Sequence, residues 1–74
     1  MKLHHGMTVV IRLDGEEMHL RLTANPAGPG ELNLRAPLVL LLRSMSLGDT
    51  CQSWTPRSGG SSMRVEFVDV ITRD

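Results

Sequence analysis

Aromatic side chains are almost absent from this chain. Trp54 and Phe67 are the only two among 74 residues, and tyrosine is missing altogether. A surface that grips single-stranded nucleic acid by stacking needs more rings than that, so the scarcity argues against base-stacking recognition. Surplus charge is missing as well. Eight Lys and Arg balance eight Asp and Glu, and the pI is near 6.8. A protein that neutralises phosphates ordinarily carries a basic excess, so direct nucleic-acid binding is not expected. Cysteine occurs once, at Cys51, and no intrachain disulfide can form, which fits a reducing compartment. No apolar run is long. The longest, Leu38 to Leu42, falls far short of the roughly 20 residues that span a bilayer as a helix. Met1 to Met7 holds Lys2, His4 and His5 and has no apolar core of a signal peptide. The expected location is the cytoplasm, with no membrane contact.

What is present is an ordinary globular composition, 41% hydrophobic and 22% charged. Residues 1–74 make one small domain, near the lower limit for folding without staples.

Thr8 to Leu13 reads as a strand, with Val9, Val10 and Ile11 β-branched. Asp14-Gly15 follows, and such a pair suits a type I′ hairpin turn because both central residues need positive φ. A two-residue turn there sets Ile11 against Met18, Val9 against Leu20 and Arg12 against Glu17. Apolar then meets apolar and opposite charges meet, so the register is self-consistent. A longer loop through Glu17 is the alternative. Asn25 to Gly30, with two prolines and two glycines, reads as a turn. Leu32 and Leu34 then alternate with Asn33 and Arg35 in a short strand.

Pro37 opens the one helix, at a position where its missing N–H costs nothing. Leu38, Leu41, Leu42 and Met45 recur at i, i+3, i+4 and i+7 as its core face, with Val39 to the side. Leu40 points away from that face. It is either a knob for a partner or a leucine covered by another part of a small domain. Gly48 is placed to end the helix in a left-handed cap. Asp49 to Thr55 is a further strand, Pro56 to Ser62 a turn, and Met63 to Ile71 the last strand. Alternation in that strand slips at Val68, which signals a β-bulge or a strand buried on both faces. The pattern predicts an α+β fold: a twisted, mainly antiparallel sheet of about five strands with one short helix on its face.

The residues that most often carry chemistry do not form a site. His4 and His5 are adjacent and point to opposite sides of an extended chain, and His19 lies far from both in sequence. No cysteine or carboxylate stands at ligand spacing, so no metal is expected. Cys51 has no histidine near it and reads as a core residue. Asp14, Glu16 and Glu17 read as a solvated turn.

The ordered set of segments resembles the C-terminal domain of the GreA/GreB family of bacterial transcription elongation factors. Gre-type factors carry a Ser-Pro dipeptide, a short leucine-containing helix and a hydrophobic-Gly-Asp leading into a strand. Here those positions read Ala36-Pro37, Leu38 to Ser46 and Leu47-Gly48-Asp49. The strand, Thr-Pro and glycine turn, and final strand that follow in the family match Thr50 to Trp54, Thr55-Pro56 with Gly59-Gly60, and Met63 to Ile71. Upstream, Gly6, Thr8 to Leu13, Asp14-Gly15-Glu16-Glu17 and Met18 to Thr23 match the family's glycine, valine-rich strand, acidic turn and return strand. The similarity spans nearly the whole chain and rests on the order and spacing of the segments together.

The resemblance implies an FKBP-like fold that docks on the coiled coil at the rim of the RNA polymerase secondary channel. The family's separate N-terminal coiled coil carries the acidic residues that help bind the catalytic magnesium. No heptad pattern occurs here, so the expectation is a free-standing regulator without transcript-cleavage stimulation. FKBP-type prolyl isomerases line their pocket with several aromatic rings, and with only two rings here no enzymatic activity, catalytic residue or cofactor is expected. The partner-binding residues implied are Arg35, Ala36, Pro37, Leu38, Leu40 and Arg43, with Met45 and Trp54 as further candidates. The family's serine is Ala36, which removes a hydroxyl from the helix start. An acidic residue of some members is Arg35, a basic mid-helix residue is Leu40, and Arg43 stands where the family has leucine. The alternative is a small self-associating domain, or one that binds a partner other than polymerase, using a sheet edge and Leu40.

Overall fold

A computed structural model describes residues 2–55 and 60–72. The elements run β1 (Thr8–Leu13), β2 (Glu16–Thr23), β3 (Glu31–Asn33), α1 (Pro37–Arg43), β4 (Thr50–Trp54) and β5 (Met63–Ile71). The strands form one mixed five-stranded sheet in the order β3-β2-β1-β5-β4. Three pairings are antiparallel, and β2 with β3 is parallel. The fold is of the small α+β kind, with one short helix among the described residues.

The hairpin follows from its turn. Asp14 takes φ 50° and Gly15 φ 86°, the positive pair that a type I′ turn requires. Val9 stands opposite Leu20, Ile11 opposite Met18 and Arg12 opposite Glu17, the register expected of a two-residue turn. Asp14 also reaches β5. Its N–H donates to the Arg64 carbonyl at 2.9 Å, and its carboxylate accepts from the Arg64 N–H at 2.8 Å.

The last strand does slip at Val68. Val10 faces Asp69 and the next residue, Ile11, faces Phe67, so Val68 has no opposite number on β1. The bulge shifts the alternation by one residue. Val65 and Phe67 are wholly buried, while Val68 and Val70 are half-buried.

The neighbouring strands β1 and β5, both inside the sheet, supply most of the sheet's share of the core: Val9, Ile11, Val65 and Phe67, with Leu22 added from β2. Val9, Ile11, Leu22, Val65 and Phe67 pack with Leu38, Val39, Leu42 and Met45 in one cluster, so α1 and the segment after it cover one sheet face. Leu3, 4% exposed, joins the same cluster from the N-terminal segment. Ions line the other face. Arg12 donates to Glu66 at 2.7 Å and stands 3.8 Å from Glu17, across three adjacent strands.

Three details differ from the sequence reading. The buried face of α1 holds Leu38, Val39 and Leu42, with Val39 at 0% exposure and Leu41 only half-buried. Five consecutive apolar residues, Leu38 to Leu42, leave the periodicity unable to choose the phase, and the position of the sheet chooses it. Gly48 has the positive φ expected, 90°, but α1 ends earlier, at a right-handed cap on Ser44. Gly48 instead turns the chain into β4, where its N–H donates to the Phe67 carbonyl at 2.8 Å. The strand around Leu32 stops at Asn33, before Leu34. Within the turn expected over Pro56 to Ser62, residues Pro56 to Gly59 lie outside the described residues.

Candidate functional site

The segment Arg35 to Arg43 sits where β3 hands over to α1. Asn33 organises this junction. Its side-chain oxygen accepts from the Arg35 N–H at 2.8 Å, and its side-chain nitrogen donates to the Asn25 carbonyl at 2.9 Å. Its own carbonyl accepts from the Ala36 N–H at 2.9 Å. One short amide thus fixes both sides of the loop. The sequence reading passed over Asn33 because its leucine neighbours suggested a strand. An asparagine two residues ahead of a turn is the local signal that marks such a role.

Ala36 adopts φ −61° and ψ 144°, the extended conformation a residue before proline is driven to. Pro37 then starts the helix with φ already suitable. The alanine side chain provides no cap hydrogen bond. The helix is seven residues long, and Arg43 in its last turn favours the negative end of the helix dipole.

The expected contact residues separate by accessibility. Arg35, Leu40 and Arg43 are exposed, and Leu40 keeps 56% of its surface in water. Ala36 and Pro37 are half-buried. Leu38, at 6%, and Met45, at 7%, belong to the core, so their side chains support the surface from beneath rather than meet a partner. Trp54 is half-buried against the core at the end of β4. Next to the loop, Ala24, Asn33, Leu34 and Arg35 line an open cleft of about 500 Å³ where β2 and β3 end.

The titratable residues are dispersed. His5 accepts from the Ala24 N–H through Nδ1 at 3.0 Å, and His19 stands 3.1 Å from Glu17 on the open sheet face. Cys51 is half-buried against the core. Among the described residues no three His, Cys, Asp or Glu side chains come together as a metal-binding group. Nor is any described helix long and apolar enough to cross a membrane.

No family model, curated protein or solved structure matches this chain.

Proposed function

We propose that this domain is a non-enzymatic transcription regulator of the Gre C-terminal type, FKBP-like in fold, that docks on bacterial RNA polymerase near the rim of the secondary channel. The observation that carries the reading is Leu40. It is an exposed leucine on a helix opened by Pro37, with exposed arginines at Arg35 and Arg43 on either side in sequence. An apolar knob between cations suits a protein surface that offers an apolar notch and carboxylates. Support also comes from the order of elements. A hairpin with an acidic turn, a short strand, a proline-opened helix, a Leu-Gly-Asp entry to the next strand and a final strand follow one another here as in the Gre-type domain. The hydroxyl that the family places before the proline is absent at Ala36, so the junction depends on Asn33 instead.

The described residues contain one helix of seven residues and no coiled coil to carry metal-binding acids. Assayed alone, this chain therefore binds polymerase without stimulating transcript cleavage. The test is capture of purified polymerase by the immobilised domain. Capture by the wild type, and its loss on Leu40→Asp in a variant with an unchanged circular-dichroism spectrum, supports the reading. Undiminished capture by a folded Pro37→Ala, Leu40→Asp double variant overturns it.

A further inference from the structure

The N-terminal arm, Lys2 to His5, folds back onto the domain. Leu3 is 4% exposed and packs in the core cluster. The reversal is a turn over His4 to Met7. The Met7 N–H donates to the His4 carbonyl at 3.2 Å, and Gly6 takes φ 92° at the third place of the turn. Gly6 and Met7 are tied to β2: the Gly6 N–H donates to the Leu22 carbonyl at 2.9 Å, and the Met7 carbonyl accepts from the Leu22 N–H at 2.7 Å. Among the described residues, the arm has one hydrogen bond beyond its own turn. His5 Nδ1 accepts from the Ala24 N–H at 3.0 Å.

A ring nitrogen that accepts an N–H carries no proton, so this imidazole is neutral with its proton on Nε2. His5 is exposed, and solvent can protonate it. Both nitrogens of an imidazolium are donors, so no rotation of the protonated ring offers Ala24 an acceptor. The charged or titratable groups on the segments around His5 are Lys2 and His4 on the arm, Arg21 on β2, Glu31 on β3 and Arg35 after it. Only Glu31 is acidic, and its carboxylate accepts from the Gly28 N–H at 2.9 Å. His5 joins no ion pair among the described residues, so no countercharge replaces the bond that protonation breaks.

We propose that His5 is a proton-sensitive latch: neutral, it holds the arm on Ala24 with Leu3 in the core; protonated, it lets go, and the arm opens about Gly6. The closed arm binds no proton at Nδ1 and the open arm does, so closure is favoured at the higher pH and weakens as pH falls. One hydrogen bond in contact with water sets the size of the effect, about a five-fold rise in the open fraction. The latch lies on a different segment from Leu40 and stands independently of polymerase docking.

Amide exchange followed by NMR at about pH 8 and about pH 5, either side of the ordinary histidine range, tests this on the wild type. Rates are expressed as protection factors, which removes the intrinsic pH dependence of exchange. Protection of the Ala24 amide is expected to fall about five-fold at the lower pH, with weaker cross-relaxation from the Leu3 methyls to the core, while the Phe67 amide keeps its protection. His5→Asn hangs an amide oxygen where Nδ1 stood and does not titrate, so its Ala24 protection stays the same at both pH values. His4→Gln and His19→Gln keep the wild-type response. Wild-type Ala24 protection that ignores pH overturns the proposal, as does a fall shared equally by Phe67, which is global unfolding. A pH response that survives in His5→Asn, or vanishes in His4→Gln or His19→Gln, overturns it too.

Discussion

Ile11 and Phe67 face each other across β1 and β5, both at 0% exposure, at the pair adjoining the slip in register. Beyond them, towards Val10 and Asp69, the bulge at Val68 changes the phase of β5. The pair thus lies at the centre of the core and next to its one break in the β1–β5 ladder. Truncating a buried phenylalanine costs about 3–5 kcal/mol. A domain of this length holds roughly 4–11 kcal/mol in total. Phe67→Ala is therefore expected to remove most of the stability, and Phe67→Leu, which keeps more of the volume, about 1–2 kcal/mol. Urea titration followed by circular dichroism checks both. A Phe67→Ala protein as stable as the wild type would contradict the central place given to this side chain.

Gly15 holds φ at 86°, with nothing within 4 Å of where a Cβ would sit. The cost of Gly15→Ala is therefore backbone strain alone, about 1–2 kcal/mol. For a domain of this size each kcal/mol lowers Tm by about 4–8 °C. The expected fall is clear in a thermal melt. Gly15→Asn, which tolerates the left-handed region better, recovers part of it.

Arg12 bridges β2 and β5 from β1 through Glu17 and Glu66. Its side chain is 41% exposed and that of Glu66 27%, so solvent screens the pair. Arg12→Ala is expected to cost about 0.5–1 kcal/mol, a surface value rather than a buried one. The difference from wild type shrinks as sodium chloride rises from about 0.05 to about 1 M, where the Debye length falls to roughly 3 Å. Thermal melts at the two salt concentrations measure it. A difference that does not change with salt would show that the arginine acts through packing of its stem.

The hairpin was legible because two independent constraints agree on it. Asp14-Gly15 demands positive φ, and only one register sets Ile11 on Met18 while joining Arg12 to Glu17. The slip at Val68 was equally legible, since a two-residue period has a phase that one extra residue visibly breaks. Other features depend on tertiary placement. The short β3 lies parallel to the end of β2, with the Arg21 N–H donating to the Gly30 carbonyl. Nothing in Leu32 and Leu34 distinguishes parallel from antiparallel. At the candidate site, Pro37 and exposed Leu40 were legible from the helix pattern. Asn33 was not, because its role lies in two hydrogen bonds to segments on either side of it.

Val39 and Leu40 are neighbours in α1 with opposite surroundings, 0% and 56% exposed. Their separation tests helix phase and function together. Val39→Ala removes two buried methyl groups and is expected to cost about 1–3 kcal/mol, read as a lower urea midpoint. Leu40→Ala shortens a side chain that stays mostly in water in the folded state, and its effect is expected within about 0.5 kcal/mol. The proposed docking on polymerase makes the opposite prediction for capture: a folded Val39→Ala protein is expected to bind as the wild type does and Leu40→Ala to lose most binding. Two leucine-like responses, each destabilising, would place Leu40 under cover and remove the knob on which the proposed docking rests. Two neutral responses would mean that α1 is rotated from the phase described, with Leu41 rather than Val39 facing β1 and β5.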